Sequence, residues 1–204
     1  MQNFKLQQNS LEVGQIIVRN FPEIKSIKLI SHKVGINWRQ LHKESKQKII
    51  NIIKAIEQPD PILEKIYERN DFLKLKLERL ETLPSDEVWS LTSKVLCLDK
   101  IDRHIPMMNY HPEDVSLEDI IKSTKIISGE REGVILSSGR FFHYYGNFLL
   151  DQGEWKKFMI DFLMSTILVS PRYIGHRLIK GYCTLRLTTD KEYKTNIPRV
   201  ISLI

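Results

Sequence analysis

Gly133-Val134-Ile135-Leu136-Ser137-Ser138-Gly139-Arg140-Phe141-Phe142-His143-Tyr144-Tyr145-Gly146 has the clearest structural pattern in the chain. An apolar run, a turn of small residues and an aromatic-rich run, in that order, spell strand, turn, strand. Alternation along the second run sets Phe141, His143 and Tyr145 on one face and Phe142 with Tyr144 on the other. The turn offers backbone N–H groups, the hydroxyls of Ser137 and Ser138 and the Arg140 guanidinium, a set able to cradle an anion. His143 either completes that cradle or is a half-buried, hydrogen-bonded histidine.

Downstream, Asp151 and Glu154 have the spacing of a capping box for a helix from Gln152 to about Leu168, with Trp155, Phe158, Met159, Phe162 and Leu163 on its apolar face. Pro171 opens a second helix and Gly181 ends it. Tyr182 to Thr188 alternates as a strand, and Arg199 to Leu203 is read as another. Helical spacing stacks Arg172 on His176 and His176 on Lys180, and with Arg177, Lys191 and Lys194 these residues form a basic surface suited to a phosphate backbone. Arg186, held between Leu185 and Leu187, is expected to point into a site or to pair with an upstream acid.

Upstream, Val95-Leu96-Cys97-Leu98 reads as a buried strand that ends in Asp99-Lys100-Ile101-Asp102. Carboxylates at a strand end are what nucleotidyl transfer uses to hold divalent metals. Residues three apart on a regular strand face opposite ways, so a bend or bulge is needed to bring Asp99 and Asp102 together, and a polar turn is the alternative. Ser116, with Glu118 and Asp119 behind it, caps a short helix to about Ser123.

Leu83-Pro84-Ser85-Asp86 marks a break that divides the chain into an N-terminal region, 1–84, and a core, 85–204. Within the first region, Gln15 to Val18 and Ser26 to Ile30 have the character of two strands of a hairpin. Trp38 to Glu57 carries the period of an amphipathic helix, and Asp60-Pro61 opens another to about Glu81. Such a helical hairpin presents either a salt-bridged outer face or a docking surface for a partner protein.

Composition narrows the class. With 42% hydrophobic and 27% charged residues in 204, the chain is an ordinary globular sequence. Its formal charge of +6 favours polyanionic partners, and from Arg172 to Arg199 basic residues outnumber the acids Asp190 and Glu192. The apolar stretch Phe162 to Val169 is broken by Ser165 and Thr166 and is far short of the roughly 20 residues a membrane helix needs. The first residues lack the pattern of a secretory signal, which points to the cytoplasm and to no membrane association. Cys97 and Cys183 make neither a disulfide framework nor a zinc knuckle and read as buried small hydrophobes.

Taken in order, the acid-tipped strand, the Ser138-Gly139-Arg140-Phe141-Phe142-His143 turn and strand, the long helix and the basic helix-strand with Arg186 resemble the archaeo-eukaryotic primase (primase-polymerase) superfamily, and its compact bacterial members in particular. The resemblance spans roughly residues 88–200. It implies an α+β fold, a primase-like mixed sheet flanked by helices, with a helical N-terminal region. It also implies a nucleotidyltransferase of DNA replication that takes a nucleoside triphosphate, a single-stranded DNA or RNA template and Mg²⁺ or Mn²⁺.

Carried over by motif, Asp99 and Asp102 would hold metal and act in catalysis with His143, while Ser137, Ser138, Arg140, His143 and Arg186 would bind phosphates. Arg172, His176, Arg177, Lys180, Lys191 and Lys194 would contact nucleic acid. Two positions depart from the pattern: Asp99-Lys100-Ile101-Asp102 has one residue more than Asp-x-Asp, and Ser170 stands where a third acid is expected. With these departures the resemblance covers a catalytically degenerate member of the fold as well as an active one, and the alternative is a non-catalytic nucleic-acid-binding or assembly module that uses the basic C-terminal surface.

Overall fold

Strand β3, Glu87–Cys97, is buried along almost its whole length because both of its edges are paired. The structure is a computed structural model that describes residues 3–33, 60–111, 115–139, 141–165, 167–190 and 195–204. Strand β1, Ile24–Lys33, runs antiparallel along one edge of β3, and β2, Leu63–Glu68, pairs antiparallel with β1 as the outer strand. The other edge of β3 is shared. β8, Thr184–Arg186, takes its N-terminal half and β4, Asp102–His104, its C-terminal half. The β1–β3 ladder thus crosses the break at residues 83–86 and joins both sides of it in one sheet.

The second sheet has the order β5 (Met107–Tyr110), β7 (Phe142–Gly146), β6 (Gly133–Ser137) and β9 (Arg199–Leu203), antiparallel throughout. The strand-turn-strand expected at Gly133 to Gly146 is the β6–β7 hairpin at its centre. Gly133 has to be glycine, because a Cβ there would lie 2.7 Å from the Tyr145 carbonyl oxygen. Near the N-terminus, Gln7 N donates to Val200 O and Val200 N to Gln8 O, which ties that segment to β9.

Five helices accompany the sheets among the described residues: α1 (Ser10–Asn20), α2 (Arg69–Lys74), α3 (Leu117–Ser128), α4 (Gln152–Met164) and α5 (Pro171–Lys180). The capping box of α4 forms as its sequence indicates, with Asp151 and Glu154 each bonded to the other's backbone N–H. α5 starts at Pro171 and stops at Gly181 in the left-handed conformation. α3 begins at the Ser116 cap but continues to Gly129, well past Ser123. The aromatic residues Trp89, Tyr110, Tyr144, Tyr145, Trp155 and Phe162 are fully buried in one continuous core between these layers. The Trp155 ring stacks on His104 with centroids 4.5 Å apart.

Two N-terminal expectations are corrected. Gln15 to Val18 lies inside α1, where Asn9 and Glu12 form a capping box and Leu11, Val13, Ile16, Ile17 and Val18 are buried. Capping and burial outweigh the β-branched character of Ile16-Ile17-Val18, since tertiary context overrides propensity. Asp60 to Glu81 is not one helix: Leu63–Glu68 pairs with β1, the short α2 follows, and a 3₁₀ turn covers Leu77–Arg79. The edge strand β2 is largely exposed, so it lacks the one-sided burial that makes a period-2 pattern visible. The helix expected over Trp38 to Glu57 falls outside the described residues. No helix among the described residues is long and apolar enough to cross a membrane.

Candidate functional site

Cross-strand register builds the site. His32 opposes Val88 and Ser90 opposes Arg186, and directly opposed residues of an antiparallel pair share a face. His32, Val88, Ser90 and Arg186 therefore look out on one side of the first sheet, with Glu87 and Trp89 on the other. In the second sheet Asn109 on β5 opposes His143 on β7. Helix α5 adds Tyr173 and Arg177, and the β6–β7 turn adds Ser138 and Phe141. These residues enclose a cleft of about 180 Å³ whose described lining contains two arginines and two histidines and no Asp or Glu.

The β6–β7 turn is closed by Ser138, whose backbone N and Oγ both donate to Phe141 O at 2.8 and 2.9 Å. Gly139 sits at φ +97, a region that other residues enter only with strain. Arg186 clamps this turn. Its Nη2 donates to Ser138 O, and its Nη1 donates to Thr188 O and Asn196 O. Only 7% exposed, it has its pKa pushed down to about 10 by burial, against the opposing charges of Asp190 and Tyr145, so it stays a cation at neutral pH. Arg186 lines the cleft, and much of its hydrogen-bonding capacity goes to holding the turn.

Arg177 is 9% exposed; its Nη1 donates to Thr184 Oγ1 at 2.8 Å, and its guanidinium lies 5.3 Å from the centre of the Tyr173 ring. Arg177 Nε and Asn109 Oδ1 are buried at the cleft without a hydrogen-bond partner among the described residues, whereas the Tyr173 hydroxyl is directed at the buried Cys183 thiol. His143 is 4% exposed. Phe141 meets His111 edge-on with centroids 4.2 Å apart. A rigid, buried, cationic wall with unspent polar atoms is suited to hold an anion.

The acids lie elsewhere. Asp99 and Asp102 belong to the β3–β4 hairpin, whose turn is carried by Lys100 at φ +63. Arg186 pairs beside Ser90 and the hairpin follows Cys97, a separation along β3 of roughly 20 Å at the usual rise per residue. Asp99 Oδ2 is 2.6 Å from Arg103 Nη2, and Asp102 Oδ2 is 2.7 Å from Lys94 Nζ. The Arg103 hydrogen bond, and after it the Ile101 N–H, hold the Asp99 carboxyl below the usual carboxylate range. So the structure gathers Ser138, His143 and Arg186 in one cleft and leaves Asp99 and Asp102 at the far end of the strand.

The other expected contacts are dispersed. Ser137 Oγ accepts from Gly139 N at 3.4 Å and does not line the cleft. Arg177 is buried in the cleft wall rather than on an outer ridge, and Lys180 is paired with Asp60 at 2.9 Å. Arg172 and His176 are half-buried on α5, and partial burial lowers the Arg172 pKa. Arg140, Lys191 and Lys194 fall outside the described residues. His32, Ser90, Asn109 and Tyr173 line the cleft without any signal in the sequence reading. Only register and helix packing unite them.

The two-sheet α+β fold thus places a cleft with a cationic described lining, free of Asp and Glu, where the two sheets meet. Comparison with known families is specific: the family described as archaeo-eukaryotic primase 1D-like matches residues 71–199, and the chain belongs to it. No curated protein and no solved structure matches.

Proposed function

We propose that the cleft binds the phosphates of a nucleoside triphosphate, and that the partly exposed side of α5 extends this surface toward a single-stranded nucleic acid. The observation that carries the reading is the convergence of Ser138, His143, Arg177 and Arg186 on one cleft inside the region that matches the primase-like family. Ser138 and His143 belong to the turn and strand whose sequence resembles the family's phosphate-contacting motif. Arg186 fixes that turn, and Arg177 and His143 face the ligand. Net positive charge then aids capture of both nucleotide and strand.

Primase-like proteins generally use divalent metals, so the donor set must be asked whether it fits one. Mg²⁺ and Mn²⁺ take oxygen ligands, carboxylates foremost. The described cleft residues supply none, and among the described residues no group of three or more His, Cys, Asp or Glu is arranged to hold a metal. Asp99 and Asp102 are each engaged by a cation of the same hairpin. The described residues do not fit a carboxylate-held metal in the cleft, which favours the binding module over the active nucleotidyltransferase.

Titration calorimetry with a nucleoside triphosphate tests the reading. His143→Ala is expected to weaken binding at least about tenfold, the loss typical of a charge-assisted hydrogen bond. Unchanged affinity in a folded variant would place the ligand elsewhere. Primer extension on single-stranded DNA with Mg²⁺ or Mn²⁺ is expected to give no product, and robust incorporation would restore the enzymatic reading.

A further inference from the structure

We infer that the cleft recognises the free polyphosphate directly, with protein cations neutralising its charge where a divalent metal would otherwise stand. The inference rests on the nucleotide reading above and states how that ligand is held. Asn109 is the informative residue. It faces His143 across the β5–β7 ladder and lines the cleft, where an acid at its position would add an anionic oxygen to a lining whose described residues have none. It is a neutral amide, and its Oδ1 is buried with no hydrogen-bond partner among the described residues.

The same cleft holds two buried guanidiniums, Arg177 and Arg186. A divalent cation entering such a cleft meets like charge and no anionic ligand from the described lining. A polyphosphate meets the reverse. Arg177 Nε, buried and without a partner among the described residues, is a donor of the kind that phosphate oxygens satisfy. Complexation by Mg²⁺ removes two negative charges from a nucleoside triphosphate, which lowers its attraction to the cleft.

The test is calorimetric titration of the full chain with adenosine triphosphate, once in EDTA and once in excess Mg²⁺. The expected result is binding in EDTA that is equal to or tighter than in Mg²⁺, by up to about tenfold. Binding that appears only with Mg²⁺ would overturn the inference and leave the nucleotide reading standing. Absence of binding in both buffers, with circular dichroism showing a folded chain, would overturn both. Asn109→Asp supplies a second readout: it is expected to weaken binding in EDTA about tenfold and to make binding respond to added Mg²⁺. A variant that binds as before in both buffers would show that Asn109 does not face the phosphates, and would count against the inference.

Discussion

At the Cys97 end of β3, Asp99 and Asp102 are half-exposed and each faces a cation one strand away; at the Ser90 end, Arg186 and Arg177 are buried among aromatic rings and backbone carbonyls. The first arrangement resembles an ordinary surface ion-pair network, worth little to stability because water already solvates the charges. The second is costly to build. A desolvated cation persists only when neighbouring groups compensate it, and the compensation here comes from carbonyls, an aromatic ring and Asp190. Residue types alone would locate the chemistry at the acids. The proposed binding rests instead on burial and partners at the opposite end.

The largest difference between the two ends is expected at Arg186. Arg186→Met should destabilise the fold by about 3 kcal/mol in urea unfolding, since it leaves the carbonyls of Ser138, Thr188 and Asn196 without their donor. A variant as stable as the parent would mean that Arg186 is not the clamp of the β6–β7 turn.

His104, on the hairpin side, gives a smaller, pH-dependent effect. Burial lowers its pKa from 6.5, with Lys94 adding to that and with Gln152 and Asp102 opposing it. The folded protein therefore binds this proton less readily than the unfolded chain. Stability should fall as pH drops below about 6.5, and His104→Gln should flatten that slope. A slope unchanged in the variant would assign the acid sensitivity to another group.

The smallest effect belongs to the acids. Asp99→Asn with Asp102→Asn should leave the unfolding midpoint and nucleotide affinity nearly unchanged, within about twofold for binding. A large loss of affinity would return the hairpin to the site.

Much of this architecture could be read locally. The Asp151 and Glu154 box, the Pro171 start and Gly181 stop, and the Ser138-Gly139 turn are each specified by neighbours in sequence, and each forms as written. Asn9 and Glu12 carried a capping box too, but the apolar run Ile16-Ile17-Val18 has no period that separates a buried helix from a buried strand. The candidate site divides the same way. Ser138 and His143 share a hairpin and Arg186 was marked by its flanking leucines, so all three were visible. Asn109, His32 and Ser90 come together only through ladders between distant strands, information that no local pattern contains.

The most direct measurement is a crystal structure of the chain soaked with a nucleoside triphosphate analogue in the absence of metal. Phosphate oxygens are expected within hydrogen-bond reach of His143 and Arg177, beside the Ser138 turn. Phosphates bound at the β3–β4 hairpin, with Asp99 and Asp102 released from Arg103 and Lys94, would contradict this placement.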